Sequence, residues 1–225
     1  MFVGHTAVAL AARSRSRNLS LGAWMAAAFT LDLVWPVLLL TGLEEVRIVP
    51  HATAFNSFEF VSYPWSHSLL MAMLWGACAF CLARWRNVSS FEATLLGAVV
   101  VSHWVLDLVT HVPDLPLWPG GTARVGMGLW QSVPGTLAIE GALFAAGVAM
   151  YVSATRARDR RGGLGFWLFL LVSVVIWASS PWSAPPPNAR LLAIFSFAIW
   201  LLIGWAAQVD RHRRPVHGDG SREAV

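Results

Sequence analysis

The stretch that decides the fold is "FEATLLGAVVVSHWVLDLVTHVPDLP", residues 91–116. Its first half is an apolar run typical of a membrane-spanning helix. Its second half places His103, Asp107 and His111 at intervals of four residues, and Asp114 follows shortly after. Residues at i and i+4 stack on one helical face, so the first three side chains share a face. Ionisable groups within a membrane are energetically costly, so this pattern indicates a functional site.

The composition is that of a membrane protein. Of 225 residues, 56% are hydrophobic and 12% are charged, whereas soluble domains carry about 25% charged residues. Thirteen Trp and twelve Phe suit a chain with two membrane interfaces to anchor. The sequence pI is ≈ 10.0, but the basic residues, all Arg, lie in short loops between apolar runs. That distribution indicates membrane topology and excludes a nucleic-acid-binding face.

Six segments are long enough, or nearly so, to cross a hydrocarbon core of about 30 Å, which takes ~20 helical residues. They are residues 19–41, 67–85, 91–111, 133–153, 164–181 and 189–209. The first twelve residues form a shorter apolar helix of about 18 Å, which enters the membrane without crossing it. The predicted fold is therefore all-α, a polytopic bundle of six transmembrane helices plus a short N-terminal half-spanning helix.

The chain reads as a single helical domain over residues 1–210, followed by a disordered tail over residues 211–225, which are polar with Gly and Pro. Thirteen of the sixteen Arg residues lie in this tail and in the loops "RSRSRN", "RWRN" and "RARDRR". By the positive-inside rule this side, with the C-terminus, is cytoplasmic. The two connections of about twenty residues on the opposite side are predicted to form ordered caps over the helix ends.

Helical rise predicts where the polar groups lie in the membrane. His103 falls ~18 Å from the inner face, Asp32 and Glu140 fall at ~20 Å, Asp107 falls at ~24 Å, and His67 lies at the outer boundary. These groups come from four different helices, and the sequence places nothing comparable in the inner half. Independent packing contacts need not share one depth, which favours a common site over separate hydrogen-bonded bundle contacts.

Imidazole and carboxylate ligands together suit zinc, manganese or iron better than calcium or magnesium. One metal ion would take His103 with Asp107. His103 and His111 are ~12 Å apart along the helix axis, which is too far to share an ion at ligand distances near ~2 Å. A second ion would therefore lie further out, with His111 or Asp114.

Local signals add detail around this site. Pro36 lies four residues after Asp32 and predicts a kink there that frees the carbonyl of Asp32. Ser66 is predicted to cap the helix that begins near His67, where backbone N–H groups can hold an anion such as phosphate. Glu44 and Glu92 are interpreted as solvated charges at the membrane boundary.

The motifs "GHTAVAL", "LDLVWP", "SHSLL" and "SHWVLDLVTHVPDLPLWP" follow the order found in the bacterial membrane-bound metal-dependent hydrolases. The chain resembles this inner-membrane family over about residues 3–140, and a polytopic subgroup of it over most of its length. The resemblance implies localisation in the bacterial plasma (inner) membrane. It also implies a set of metal ligands, which are His5, Asp32, His67, His103 and Asp107.

The chain departs from the family pattern at two motifs. Where the family has P-D-x-D-H, this chain has "LDLVW", residues 31–35. Where it has H-R-G-x-T-H-S, Ser62 stands at the position of the first His, and Tyr63 and Pro64 replace Arg and Gly. A site with fewer ligands would bind one metal ion instead of two, or none.

The leading hypothesis is a metal-dependent hydrolase, most simply with zinc, whose site opens to the outer half of the bilayer. Its depth favours a membrane lipid or lipid-linked phosphoester as substrate. Glu140, His111 and Asp114 are the candidates for proton transfer or for hydrogen bonds to the ligands. The alternatives are a small proton- or ion-coupled transporter that uses the same groups as a relay, and a non-catalytic membrane scaffold. The sequence does not decide the oligomeric state.

Overall fold

A computed structural model describes residues 1–16 and 18–216 of the chain, which are mostly helical. The α-helices are α1 (Phe2–Arg15), α2 (Leu21–Ala28), α3 (Thr30–Leu40), α4 (Pro64–His67), α5 (Leu69–Trp85), α6 (Ser90–Thr110), α7 (Val133–Ala154), α8 (Arg160–Ser179), α9 (Ala189–Ser196) and α10 (Ile199–Arg211). Short strands form three antiparallel pairs: β1 (Glu45–Ile48) with β2 (Phe58–Ser62), β3 (Leu115–Pro116) with β4 (Arg124–Val125), and β5 (Thr155–Ala157) with β6 (Arg213–Pro215).

Four segments within the described residues are helical, long enough and apolar enough to cross a membrane. They are Ser90–Thr110, Val133–Ala154, Arg160–Trp182 and Ala189–Arg211. The pair α2 and α3 makes a fifth if it is counted as one broken span. Helix α5 has 17 residues, or about 25 Å, which falls short of the ~20 residues that a full crossing takes. The six predicted spans are therefore not confirmed. The mostly helical architecture with several candidate membrane spans is confirmed.

The first predicted span is broken, but not at the proline. Helix α2 ends at Ala28, and Phe29 leaves the helical conformation with φ −105° and ψ 13°. Helix α3 then continues at 54° to α2 and runs through Pro36. The kink predicted at Pro36 is thus wrong in position. Because the break precedes Thr30, Asp32 falls in the first turn of α3, where the helix dipole favours a carboxylate.

Glycines let helices approach at backbone distance. A Cβ built on Gly147 of α7 would lie 2.5 Å from the carbonyl oxygen of Ala7 in α1. Gly76 of α5 and Gly97 of α6 face each other, and a Cβ on either would lie within 2.9 Å of the other's carbonyl oxygen. Small residues at such crossings are a common way to pack helices in membranes. The first of these contacts fixes the position of α1 against the bundle.

Replacing Gly147 with Ala is expected to lower the free energy of unfolding by about 1–3 kcal/mol, because the added methyl meets backbone atoms that cannot move aside. Gly204→Ala in α10 is the matched control, since nothing lies within 4 Å of a Cβ built there. The measurement is unfolding in detergent of both variants beside the wild type. Equal stability of the two variants would contradict the close contact between α1 and α7.

The two long connections are ordered caps, and both contain strands. Strands β1 and β2 pair in antiparallel register, with Val46 opposite Phe60. The loop between them is held to the second connection, because the N–H of Phe55 donates to the carbonyl oxygen of Trp130 at 3.0 Å. The rings of Phe60 and Trp130 stack, with centroids 6.3 Å apart. The strands are a feature that the sequence analysis did not predict.

A polar cluster lies at the end of the bundle opposite these caps. Asp210 of α10 is 6% exposed and accepts hydrogen bonds from Nε of Arg13 at 2.8 Å and from the hydroxyl of Tyr151 at 2.7 Å. The N–H of Leu21 donates to the same carboxylate at 3.0 Å. Four helices therefore meet at one buried ion pair. The prediction that the inner half holds no comparable groups is wrong.

Glu92 belongs to the same end and is also buried, at 3% exposure. Its carboxylate accepts from the hydroxyl of Ser16 at 2.6 Å and from the side-chain amide of Asn18 at 2.8 Å. It therefore links the connection after α1 to the start of α6, and its interpretation as a solvated boundary charge is wrong. Of the predicted disordered tail, residue 211 ends α10, residues 213–215 form strand β6, and residues 217–225 lie outside the described residues.

Candidate metal centre

Four helices bring the candidate ligands together at the capped end of the bundle. His103 and Asp107 lie one turn apart on α6, and His5 is the fourth residue of α1. Asp32 lies in the first turn of α3, and His67 ends the short helix α4. The three histidines and Asp107 are buried, with exposures between 1% and 4%, while Asp32 is half-buried and faces a cavity.

Asp107 is the centre of the first group of ligands. Its Oδ1 accepts from the main-chain nitrogen of Met1 at 2.7 Å and lies 3.2 Å from Nε2 of His5. Its Oδ2 lies 3.1 Å from Nε2 of His103. The rings of His5 and His103 stack nearly parallel, with centroids 3.7 Å apart. Ligand atoms of His5, His103 and Asp107 all lie within 4.8 Å of one another.

A second group shares His103 with the first. Oδ1 of Asp32 lies 3.5 Å from Nε2 of His67 and 3.8 Å from Nε2 of His103. Nε2 of His67 is also 3.8 Å from Oδ2 of Asp107. Ligand atoms of Asp32, His67 and His103 lie within the same 4.8 Å limit. Two overlapping groups thus place three imidazoles around two carboxylates.

The tautomer of His103 suits a metal ligand. Its Nδ1 lies 2.7 Å from the carbonyl oxygen of Ala28, and because a carbonyl only accepts, Nδ1 carries the hydrogen. In the neutral ring Nε2 then bears the lone pair, and it has no aligned hydrogen-bond partner although Asp107 is near. Metal-ligating histidines typically donate their other ring nitrogen to a backbone carbonyl or carboxylate in this way.

Glu44 was not predicted to take part, but it lies beside His67. It is 4% exposed, and its carboxylate accepts from the N–H groups of Trp65 and Ser66, each at 2.8 Å. The anion predicted at these N–H groups is therefore the chain's own carboxylate, and the interpretation of Glu44 as a solvated charge is wrong. Ser68, not Ser66, caps α5, because its hydroxyl accepts from the N–H of Met71 at 3.3 Å.

Glu140 of α7 lies fully buried beside the ligands. Neither of its carboxyl oxygens has an aligned hydrogen-bond partner, although the backbone of Gly4 and the indole of Trp177 lie next to it. It lines the same cavity as Asp107. A buried carboxyl that faces a cavity without a fixed partner is available for proton transfer.

His111 and Asp114 form a separate pair. Nδ1 of His111 lies 2.9 Å from Oδ1 of Asp114, and the hydroxyl of Tyr63 donates to the same oxygen at 2.7 Å. Burial and the nearby Asp114 carboxylate raise the pKa of Tyr63 well above its ordinary value, which keeps the phenol a donor. His111 and Asp114 belong to neither ligand group found among the described residues. His111 lines the cavity, and Asp114 holds its ring in one orientation.

A cavity of about 740 Å³ leads away from the ligands, within the usual range for small-molecule sites. Asp32, His67, Asp107, His111 and Glu140 line one end. The remainder is largely apolar and extends to the last three helices, with walls that include Trp35, Trp177, Leu192, Phe195, Leu202 and Trp205. The site therefore combines a polar end, whose side chains could hold a metal ion, with a large apolar arm.

Three groups that contact the candidate ligands, directly or through one other side chain, could not be found by counting residues along the helices. They are the carboxylate of Glu44, the carbonyl of Ala28 and the main-chain nitrogen of Met1. The last two are backbone atoms, which every residue carries. Glu44 and Glu45 are neighbours in the sequence, and only the hydrogen bonds of Glu44 to the turn before His67 distinguish the two.

The comparisons with known proteins identify a family but no close relative. No curated protein and no solved structure matches the chain. The sequence profile of the family described as the YdjM inner membrane protein matches residues 1–184, which include every candidate ligand as well as Glu44 and Glu140. The match agrees with the several apolar helices of a multi-pass membrane protein. Because it covers most of the 225 residues, this chain belongs to the YdjM inner membrane protein family.

Proposed function

We propose that this protein is a metal-dependent hydrolase of the bacterial inner membrane. The observation that carries the proposal is the set of ring nitrogens around Asp107. Above all, Nε2 of His103 lies between two carboxylates without an aligned hydrogen bond to either. A buried nitrogen lone pair beside acidic oxygens is satisfied by a cation. Three imidazoles with two carboxylates fit zinc best, and manganese or iron next.

A divalent ion bound there supplies Lewis-acid chemistry and makes a water molecule nucleophilic near neutral pH. The chain's own residues account for the rest. His5, Asp32, His67, His103 and Asp107 hold the ion. Glu140, which has no aligned partner, takes up or returns a proton at its carboxyl oxygens. Asp114 accepts from Nδ1 of His111, so the opposite ring nitrogen bears the lone pair, where it can take up a proton and then return it to a leaving group.

The apolar arm of the cavity supports a lipid or lipid-linked phosphoester as substrate. A polar head group would lie at the end lined by Asp32 and His67, and the hydrocarbon would follow the walls formed by Trp177 and Leu202. A small soluble phosphoester would leave most of this apolar surface uncovered. The proposed orientation has the site in the outer half of the bilayer and the Arg-rich ends in the cytoplasm.

The test is hydrolysis by the full chain, purified in detergent, stripped with a chelator and reloaded with Zn²⁺, Mn²⁺ or Fe²⁺. The substrates are labelled phospholipids, a polyisoprenyl phosphoester and a water-soluble aryl phosphate. Cleavage of a lipid substrate that returns only with metal is the expected result. A protein that binds none of the three metals and cleaves none of these substrates would overturn the proposal.

A bulky side chain in the apolar arm is expected to weaken substrate binding and to leave metal binding unchanged. Ala198, which follows α9 and precedes α10, lines the cavity. Ala198→Trp adds an indole there, so the KM for the lipid substrate is expected to rise while Zn²⁺ binding stays unchanged. Leu171→Trp is the control, because Leu171 is 57% exposed on α8. Equal rises in KM for both variants would show that the arm does not hold the substrate.

An ion-coupled transporter is the second candidate, and the buried pair of Arg13 and Asp210 favours it. Helix α1 carries polar groups near both ends, as a relay across the membrane requires. It ranks second because the residues between His5 and Arg13, "TAVALAA", offer a single hydroxyl, which is bonded to the carbonyl of Phe2 within the same helix. Proton-driven flux through the protein in liposomes, without hydrolysis, would favour the transporter.

A further inference from the structure

A chain of hydrogen bonds runs from a cap residue to a proposed metal ligand. Oε2 of Glu44 lies 2.7 Å from the hydroxyl oxygen of Ser66, and that oxygen lies 2.7 Å from Nδ1 of His67. All three side chains are buried, with Ser66 at 0% exposure. On the far side of the ring, Nε2 faces Asp32 and Asp107.

The chemistry of the groups fixes the direction of each bond. The Ser66 hydroxyl donates to Oε2 of Glu44, which uses the single hydrogen of that hydroxyl. The hydroxyl oxygen must then accept from Nδ1 of His67, which therefore carries the hydrogen. In the neutral ring the lone pair is left on Nε2, the nitrogen that faces both carboxylates.

We propose that Glu44 and Ser66 are positioning residues that present His67 to the metal through Nε2. This inference rests on the proposed metal site and adds two residues to it. It assigns His67 the same arrangement that the carbonyl of Ala28 gives His103, by a side-chain route instead of a backbone one. Such outer partners typically change metal affinity by about 10- to 100-fold when they are replaced.

Glu44→Gln is the sharpest test, because it is nearly isosteric and yet reverses the chain of bonds. The N–H groups of Trp65 and Ser66 both donate to Oε1, so the carbonyl oxygen of Gln must stay there. Its NH₂ group then faces the Ser66 hydroxyl and donates to it. The hydroxyl hydrogen turns toward Nδ1 of His67, and the ring has to carry its own hydrogen on Nε2, where it cannot bind metal.

The experiment measures the affinity of the full chain in detergent for Zn²⁺, by competition with a chromophoric chelator. Glu44→Gln is expected to weaken binding by about 10- to 100-fold, and Ser66→Ala is expected to weaken it less, because it removes the acceptor without reversing the tautomer. Glu45→Gln is the matched control, since Glu45 is the exposed neighbour that pairs with Arg47, and it is expected to bind as the wild type does.

The outcomes separate this inference from the proposed function. Tight Zn²⁺ binding by the wild type with unchanged affinity in Glu44→Gln would overturn the positioning role and leave the metal site intact. A wild type that binds no Zn²⁺ would overturn both. If Glu44→Gln does not fold, Ser66→Ala decides: unchanged affinity in that variant overturns the inference. A purely structural role predicts the reverse ranking, with the near-isosteric Gln variant the milder of the two.

Discussion

Asp107→Asn is expected to lower the affinity for Zn²⁺ by more than about 100-fold, beyond the effect of replacing an outer partner. The carboxylate of Asp107 lies within 3.2 Å of ring nitrogens from His5 and His103 and within 3.8 Å of a third from His67. Asn keeps the shape but removes the negative charge that offsets the ion. The measurement is metal content by mass spectrometry, with affinity by competition titration.

Asp114→Asn is the control for this prediction. Asp114 carries the same side chain and lies seven residues further along the chain, but it pairs with His111 and belongs to neither ligand group of the described residues. Zn²⁺ binding is expected to survive in Asp114→Asn, while hydrolysis slows because His111 loses its orientation. Retention of metal by Asp107→Asn, or loss of metal by both variants, would contradict the assigned ligands.

That the candidate ligands lie at a similar depth could be predicted because an α-helix has a fixed rise per residue. Asp32, His103, Asp107 and Glu140 each sit on an apolar helix whose end is marked in the sequence, so counting residues gives their depth. The structure brings these residues together with His5 and His67 at the capped end. Their roles as ligands and acids remain predictions that the metal and hydrolysis experiments test.

The structural features that the sequence did not predict lie where the chain reverses direction or where a helix is interrupted. Glu44 reaches Ser66 because strands β1 and β2 fold back on each other, and a pairing between residues so far apart leaves no periodic signal. The break at Phe29 lies in an apolar run with no proline or glycine next to it. Helix α5 is also shorter than the predicted span, because residues 64–67 form the separate turn that carries His67.

The second prediction with a large expected effect concerns the buried ion pair at the end of the bundle opposite the caps. Asp210→Ala is expected to lower the free energy of unfolding by about 3–5 kcal/mol, because it leaves the charge of Arg13 buried without its partner. Asp210 also accepts from the hydroxyl of Tyr151 and the N–H of Leu21. Its loss therefore loosens contacts of α1, α2 and α7 with α10 at once. The measurement is reversible unfolding in mixed micelles.

A double variant tests whether the ion pair or its hydrogen bonds account for this cost. In Arg13→Met with Asp210→Asn, the charges disappear together. The Asn carbonyl oxygen can take the place of Oδ2 and accept from the N–H of Leu21, while its NH₂ group donates to the hydroxyl oxygen of Tyr151. This protein is expected to be more stable than Asp210→Ala, because an unpaired buried charge costs more than the removal of both charges. If the double variant is instead the less stable one, the Arg13 guanidinium is accommodated without Asp210, and the pair does not hold the four helices together.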